Sequence, residues 1–131
     1  MGDLTIYHNP RCSKSRQTLE LIRSKGVEPE IVFYLEDVPS ADDIADALRM
    51  LGMKPMEIIR KNEAEFKEHF AGANELTDDQ LIELMRLYPK VIERPIVVNR
   101  GKAAIGRPPK NVLGILQECF RNVLSMFLKL F

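Results

Sequence analysis

Tryptophan is absent from this 131-residue chain, and only three Tyr and six Phe are present. So few flat aromatic faces give it little on which to stack nucleobases. Neither sign of charge is in surplus, with 19 Lys plus Arg against 19 Asp plus Glu. A nucleic-acid binder neutralises phosphates with a basic excess, so no nucleic-acid partner is expected. There are two cysteines, Cys12 and Cys119, and two histidines. That is too few for a disulfide scaffold, and the spacing matches no Cys/His cage, so no metal site is expected. No apolar run is long enough for a membrane span, and the start MGDLTIYHNPR lacks the basic-then-apolar pattern of a signal peptide. These absences point to a cytoplasmic protein whose cysteines are thiols rather than staples.

What remains is an ordinary globular composition, 45% hydrophobic and 29% charged, in a length that suits one domain. Leu4–Ile6 with Tyr7 is a short apolar run that breaks at HNPRCSKS, a strand entering a loop. Helical periodicity follows from about Ser13 to Lys25 and stops at Gly26. Ile31–Leu35 is a second strand, rich in β-branched and aromatic residues. Short connections in a β–α–β order imply a parallel pair.

The middle of the chain is helical in pattern. Ser40 caps a helix that runs to Leu51 and is closed by Gly52. Further helical stretches are expected at Pro55–Arg60, Glu63–Phe70 and Thr77–Leu87. Ile96–Val98 and Ala103–Ile105 then bracket Asn99-Arg100-Gly101 as a hairpin. Pro108-Pro109 opens a final helix, with Glu118, Asn122, Ser125 and Lys129 on one face. The order βαβ, helices, ββα is that of an α/β, thioredoxin-like mixed sheet with a helical insertion. Residues 1–118 make this unit, the insertion spans about 38–90, and 119–131 is an apolar extension expected to be helical.

Cys12 stands at the loop-to-helix junction, where free N–H groups and the helix dipole favour an anion. Arg11, Lys14 and Arg16 crowd the same turn, and His8 is four residues upstream. This setting lowers a thiol pKa and makes Cys12 the candidate nucleophile. Cys12 with Arg16 is C-x3-R, not the C-x5-R of phosphate-cradling phosphatases. Ser15 stands where a C-x-x-C dithiol would have its second cysteine. A single thiol can form a covalent intermediate but cannot resolve it alone. Cys119, among Leu116, Phe120 and Val123, is expected to be a structural thiol. Arg60, Arg94 and Arg107 carry guanidinium forks suited to tetrahedral oxyanions, although composition alone reads each of them first as a surface charge. Arg94 precedes Pro95, where a thioredoxin-like fold commonly has a cis-proline facing the active cysteine, so a cis Arg94–Pro95 bond is expected.

IYHNPRCSKSR, YLE at Tyr34–Glu36, RKNE at Arg60–Glu63, LTDDQLIELM, RPIVV at Arg94–Val98 and IGRPP at Ile105–Pro109 resemble the glutaredoxin-dependent arsenate reductases. The resemblance runs in order from Leu4 to about Leu116. It implies that Cys12 attacks arsenate, that His8 helps hold its thiolate, and that Ser15 hydrogen-bonds in the same loop. It also implies that Arg60, Arg94 and Arg107 bind the oxyanion and stabilise the arsenic adduct. No cofactor is bound in such a scheme. Glutathione is a co-substrate that takes up the adduct, and glutaredoxin resolves the mixed disulfide, in the service of arsenic detoxification. A monomer or weak dimer is expected. Two other readings stay open from sequence: a glutathione-linked thiol reductase with a non-arsenate substrate, and a non-catalytic Spx-type regulator that binds RNA polymerase.

Overall fold

The computed structural model describes residues 4–116. Its elements in chain order are β1 (Leu4–His8), α1 (Ser13–Ser24), β2 (Glu30–Phe33), α2 (Ala41–Leu51), α3 (Ala64–His69), α4 (Asp78–Leu87), β3 (Ile96–Asn99) and β4 (Lys102–Ile105). The strands form one sheet in the order β2-β1-β3-β4, with β1 and β2 parallel and the other pairs antiparallel. This is the thioredoxin-like plan, and α2 to α4 are the helices inserted between its halves.

Strand periodicity divides the interior into two cores. Leu4 and Ile6 of β1 and Val97 of β3 face α1, where they meet Leu19, Ile22, Val112 and Leu116. Tyr7 and Ile96, offset by one residue, face the inserted helices and meet Ile44, Ile58, Leu81 and Met85. Successive strand residues point to opposite faces, so two neighbouring positions feed two separate cores. In α1 the buried positions are Ser15, Thr18, Leu19 and Ile22, the i, i+3, i+4, i+7 stripe of an amphipathic helix.

Local signals set the ends of the inserted helices. Ser40 Oγ accepts the Asp43 N–H at 3.1 Å, and α2 stops at Gly52, whose φ of 68° is left-handed. Thr77 and Gln80 form a reciprocal capping box on α4. Arg100 and Gly101, both at positive φ, make the two-residue β3–β4 turn.

Three segments differ from the sequence-based expectation. The second strand ends at Phe33 rather than Leu35, because the Phe33 carbonyl takes the N–H groups of Glu36 and Asp37 at 3.0 and 2.8 Å. That turn drives Tyr34 inward. The stretch 55–60 is not a helix ending at Arg60: a single 3-10 turn covers Pro55–Ile58, and Ile59 is extended in a bridge with Ile92. Two β-branched residues in succession favour that extended backbone. The third helix is shorter than 63–70. After the hairpin, a 3-10 turn at Pro109–Val112 leads into helical residues 113–116. Cys119, the 119–131 extension and the Glu118–Lys129 face lie outside the described residues. Among the described residues, no helix is long and apolar enough to cross a membrane.

Candidate active site

Cys12 is the residue that caps α1, with extended backbone at φ −92° and ψ 123°. Its own N–H donates to Asn9 O at 3.0 Å, and its carbonyl accepts the Arg16 N–H at 3.0 Å. The loop thus closes as a turn and presents Sγ to the first N–H groups of the helix. Asn9 Oδ1 accepts the Arg11 N–H at 3.0 Å, tightening the same turn. Burial pushes the thiol pKa up from its ordinary 9.0. The Ser15 N–H, the Arg94 guanidinium and the Lys14 N–H push it down, and the downward pull wins.

His8 ends β1, and its hydrogen bond runs to Ser15 rather than to the thiol. Its Nδ1 lies 2.6 Å from Ser15 Oγ, which also accepts the Asn9 N–H at 3.1 Å. Ser15 is fully buried and His8 nearly so. Burial, with Arg23 and Arg16 nearby, holds the imidazole pKa below its ordinary 6.5. His8 and Ser15 together lock the strand end, the loop and the first helical turn, and through them the position of Cys12.

The arginines arrive from the other side of the site. Arg60 and Arg94 come together because the segments 58–60 and 91–93 pair. The Arg60 N–H donates to Val91 O, and the Glu93 N–H to Ile58 O, each at 2.7 Å. Arg107 follows β4 on the neighbouring edge, and its Nη1 donates to Cys12 Sγ at 3.9 Å. The Arg94 guanidinium lies beside the same thiol. The structure therefore gathers Cys12, His8, Ser15, Arg94 and Arg107 into one cluster. Arg60 is held next to this cluster by its backbone pairing with Val91, and its charge reaches the Tyr34 hydroxyl together with those of Arg94 and Cys12. The Arg94–Pro95 and Arg107–Pro108 bonds are both cis; only the first is anticipated from sequence.

Two carboxylates in the cluster escape sequence reasoning. Glu63 Oε1 is 3.4 Å from Arg94 Nη2, and Glu93 Oε1 is 3.3 Å from Arg107 Nε. Glu93 Oε1 also accepts the Arg94 N–H at 3.4 Å, so one carboxylate ties both arginine segments. Glu63 had a signal, three residues after Arg60 in RKNE. Tyr34 had the YLE motif but no reading as a site residue, and Glu93 had no signal beyond its neighbours, since the bridge that places it is tertiary. Chemically, the cluster is a half-buried thiol with a lowered pKa facing cationic donors, with Cys12 the free cysteine among the described residues.

Among the described residues, a single cysteine with a lowered thiol pKa stands at a helix cap of the thioredoxin-like sheet, with arginines facing it. The family model described as ArsC family matches residues 7–115, and the chain belongs to that family. It is 51% identical over 112 residues to the uncharacterized protein YfgD of Escherichia coli K12, covering 85% of this chain and 94% of the relative. It is 42% identical over 125 residues to an arsenate reductase of Escherichia coli, covering 95% and 89%. The structure of an arsenate reductase from Vibrio cholerae superposes with a TM-score of 0.83 at 45% identity, over 86% of this chain and 97% of that one.

Proposed function

We propose that the protein reduces arsenate to arsenite, with Cys12 as nucleophile and external thiols as reductant. The observation that carries this reading is the Cys12 thiol itself, its pKa lowered at a helix cap beside Arg94 and Arg107. A relative 42% identical over 125 residues being an arsenate reductase supports the substrate. In the first step the thiolate attacks As(V), an S–As bond forms and an oxygen leaves as water. Arg60, Arg94 and Arg107 offset the charge on the arsenic oxygens, where fixed cations in a partly desolvated site act most strongly. Glutathione then attacks Cys12 Sγ. The S–As electron pair passes to arsenic, which leaves as arsenite, and Cys12 is left as a mixed disulfide with glutathione. Glutaredoxin takes up that glutathione and frees Cys12. The overall change is two electrons onto arsenic and two thiols joined as a disulfide. With Ser15 standing where a dithiol would have its second cysteine, the chain leans on outside thiols.

Arsenate-dependent NADPH oxidation, coupled through glutathione, glutaredoxin and glutathione reductase, tests the reading. Turnover is expected in the wild type and in Cys119→Ser, and none in Cys12→Ser. Ready glutathionylation of Cys12 without arsenate turnover would keep the thiol chemistry and discard the substrate, and association with RNA polymerase in place of turnover would favour a regulator.

A further inference from the structure

Two donors of the site have no hydrogen-bond partner although solvent does not reach them: the Tyr34 hydroxyl and Arg94 Nε. Such orphans are uncommon, because a polar atom taken out of water without a replacement bond costs free energy. Arg94 directs its other donors to Lys90 O at 2.9 Å and to Glu63. Tyr34 is 1% exposed. It stands just past β2, and the pairing of His8 with Phe33 sets Asn9 and Tyr34 side by side at the strand ends, where the chain turns toward Cys12. Asn9 approaches the phenol as a donor, but no hydrogen-bond geometry with Tyr34 is met. The remaining charged neighbours are Arg94, Cys12 and Arg60. A guanidinium only donates, so neither arginine can accept from the phenol. The Tyr34 hydroxyl and Arg94 Nε are thus two buried donors that no acceptor of the resting protein engages.

We propose that Tyr34 is a ligand-binding residue of the Cys12 site, its hydroxyl donating with Arg94 Nε–H to one oxygen of the tetrahedral oxyanion and of its Cys12 adduct. The proposal rests on the oxyanion reading above and assigns it a fourth side chain, from the opposite edge of the sheet to Arg107. Arg94 is the group that yields to admit the anion: its contact with Glu63 is a long 3.4 Å, and its side chain is 14% exposed. Burial first, and the charge of Cys12 after it, carry the phenol pKa up to about 12 against the pull of Arg94 and Arg60. The hydroxyl therefore keeps its proton and remains a donor wherever the thiolate is formed.

Tyr34→Phe separates this role from a structural one. It keeps the ring in the core and removes an unpartnered hydroxyl, so the anion-free protein should unfold at the same temperature or higher. Protection of Cys12 from iodoacetamide by arsenate or inorganic phosphate, followed on the Cys12 peptide by mass spectrometry, reads binding without turnover. The half-protecting concentration should rise about tenfold in the variant, the worth of one hydrogen bond to a charged acceptor. Equal protection in wild type and variant would overturn the proposal while leaving the oxyanion site intact. A lower unfolding temperature without anion would also overturn it, by showing that the hydroxyl has a partner in the resting protein. A wild type that neither anion protects would remove the oxyanion reading and this one with it.

Discussion

The Cys12 sulfur sits between opposing influences, and the helix N–H groups with Arg94 outweigh burial. Only the thiolate reacts with alkylating agents, so the rate of iodoacetamide labelling against pH reports the balance. Its midpoint should fall clearly below 9.0, and Arg94→Gln should move it upward; an unshifted wild-type midpoint would count against an activated thiol. Ser15 works by a different route. Its hydroxyl serves His8 and the Asn9 N–H at once, inside a fully buried pocket. Ser15→Ala leaves both without that partner, and a loss of about 2 kcal/mol is expected in denaturant unfolding. Cysteine at this position, the dithiol spacing of other thioredoxin-like proteins, would offer the imidazole a much poorer partner.

At the scale of elements, the junctions carry more than the helices and strands do. Gly106, between β4 and Arg107, is fixed by space rather than by backbone angle. A Cβ there would lie 2.8 Å from Pro95 Cγ and collide with the Thr18 side chain. Thr18 Oγ1 is 3.2 Å from Gly106 O, and the Gly106 N–H donates to Pro95 O at 2.9 Å, so α1, β4 and the proline turn meet at one point. Neither a proline ring nor a β-branched residue in a helix gives way easily. Gly106→Ala should therefore lower stability by about 1–3 kcal/mol, measured by urea unfolding, and displace Arg107 enough to reduce activity. The loop carrying Cys12 and the hairpin were legible in the chain because their signals are local: an apolar run that stops, a cap, an Arg-Gly turn. The 58–60 segment was not legible. Helical and extended backbones are both compatible with two isoleucines in a row, and only a partner strand 33 residues further on (Ile92 to Ile59) decides between them.

For the molecule as a whole, His8 contributes a pH dependence of stability just below neutrality. Its folded pKa lies below 6.5 because burial disfavours the imidazolium. The unfolded chain then binds more protons than the folded one between that lower value and 6.5. The stabilisation is complete above 6.5 and is lost as pH falls through the window. Thermal unfolding at a series of pH values should show the loss in wild type and a flatter profile in His8→Gln. Two cores on opposite faces of one sheet were foreseeable from strand periodicity, since Tyr7 and Ile6 must part company. How the two faces share the site was not. The α1 face contributes the nucleophile, while the paired segments 58–60 and 91–93 hold two of the arginines, Arg60 and Arg94.

The bridge that joins those arginines has only two short hydrogen bonds, donated by Arg60 and Glu93. Their two amide protons are thus clocks for the closed site. In hydrogen–deuterium exchange they should lose protection together, ahead of the Ile6 and Val97 amides of the central strands, whenever the insertion loosens. An anion that spans Arg60 and Arg94 would slow both by the same factor. The ability to hold substrate would then be set by the breathing of one short seam between distant stretches of chain, and not by the stability of the sheet.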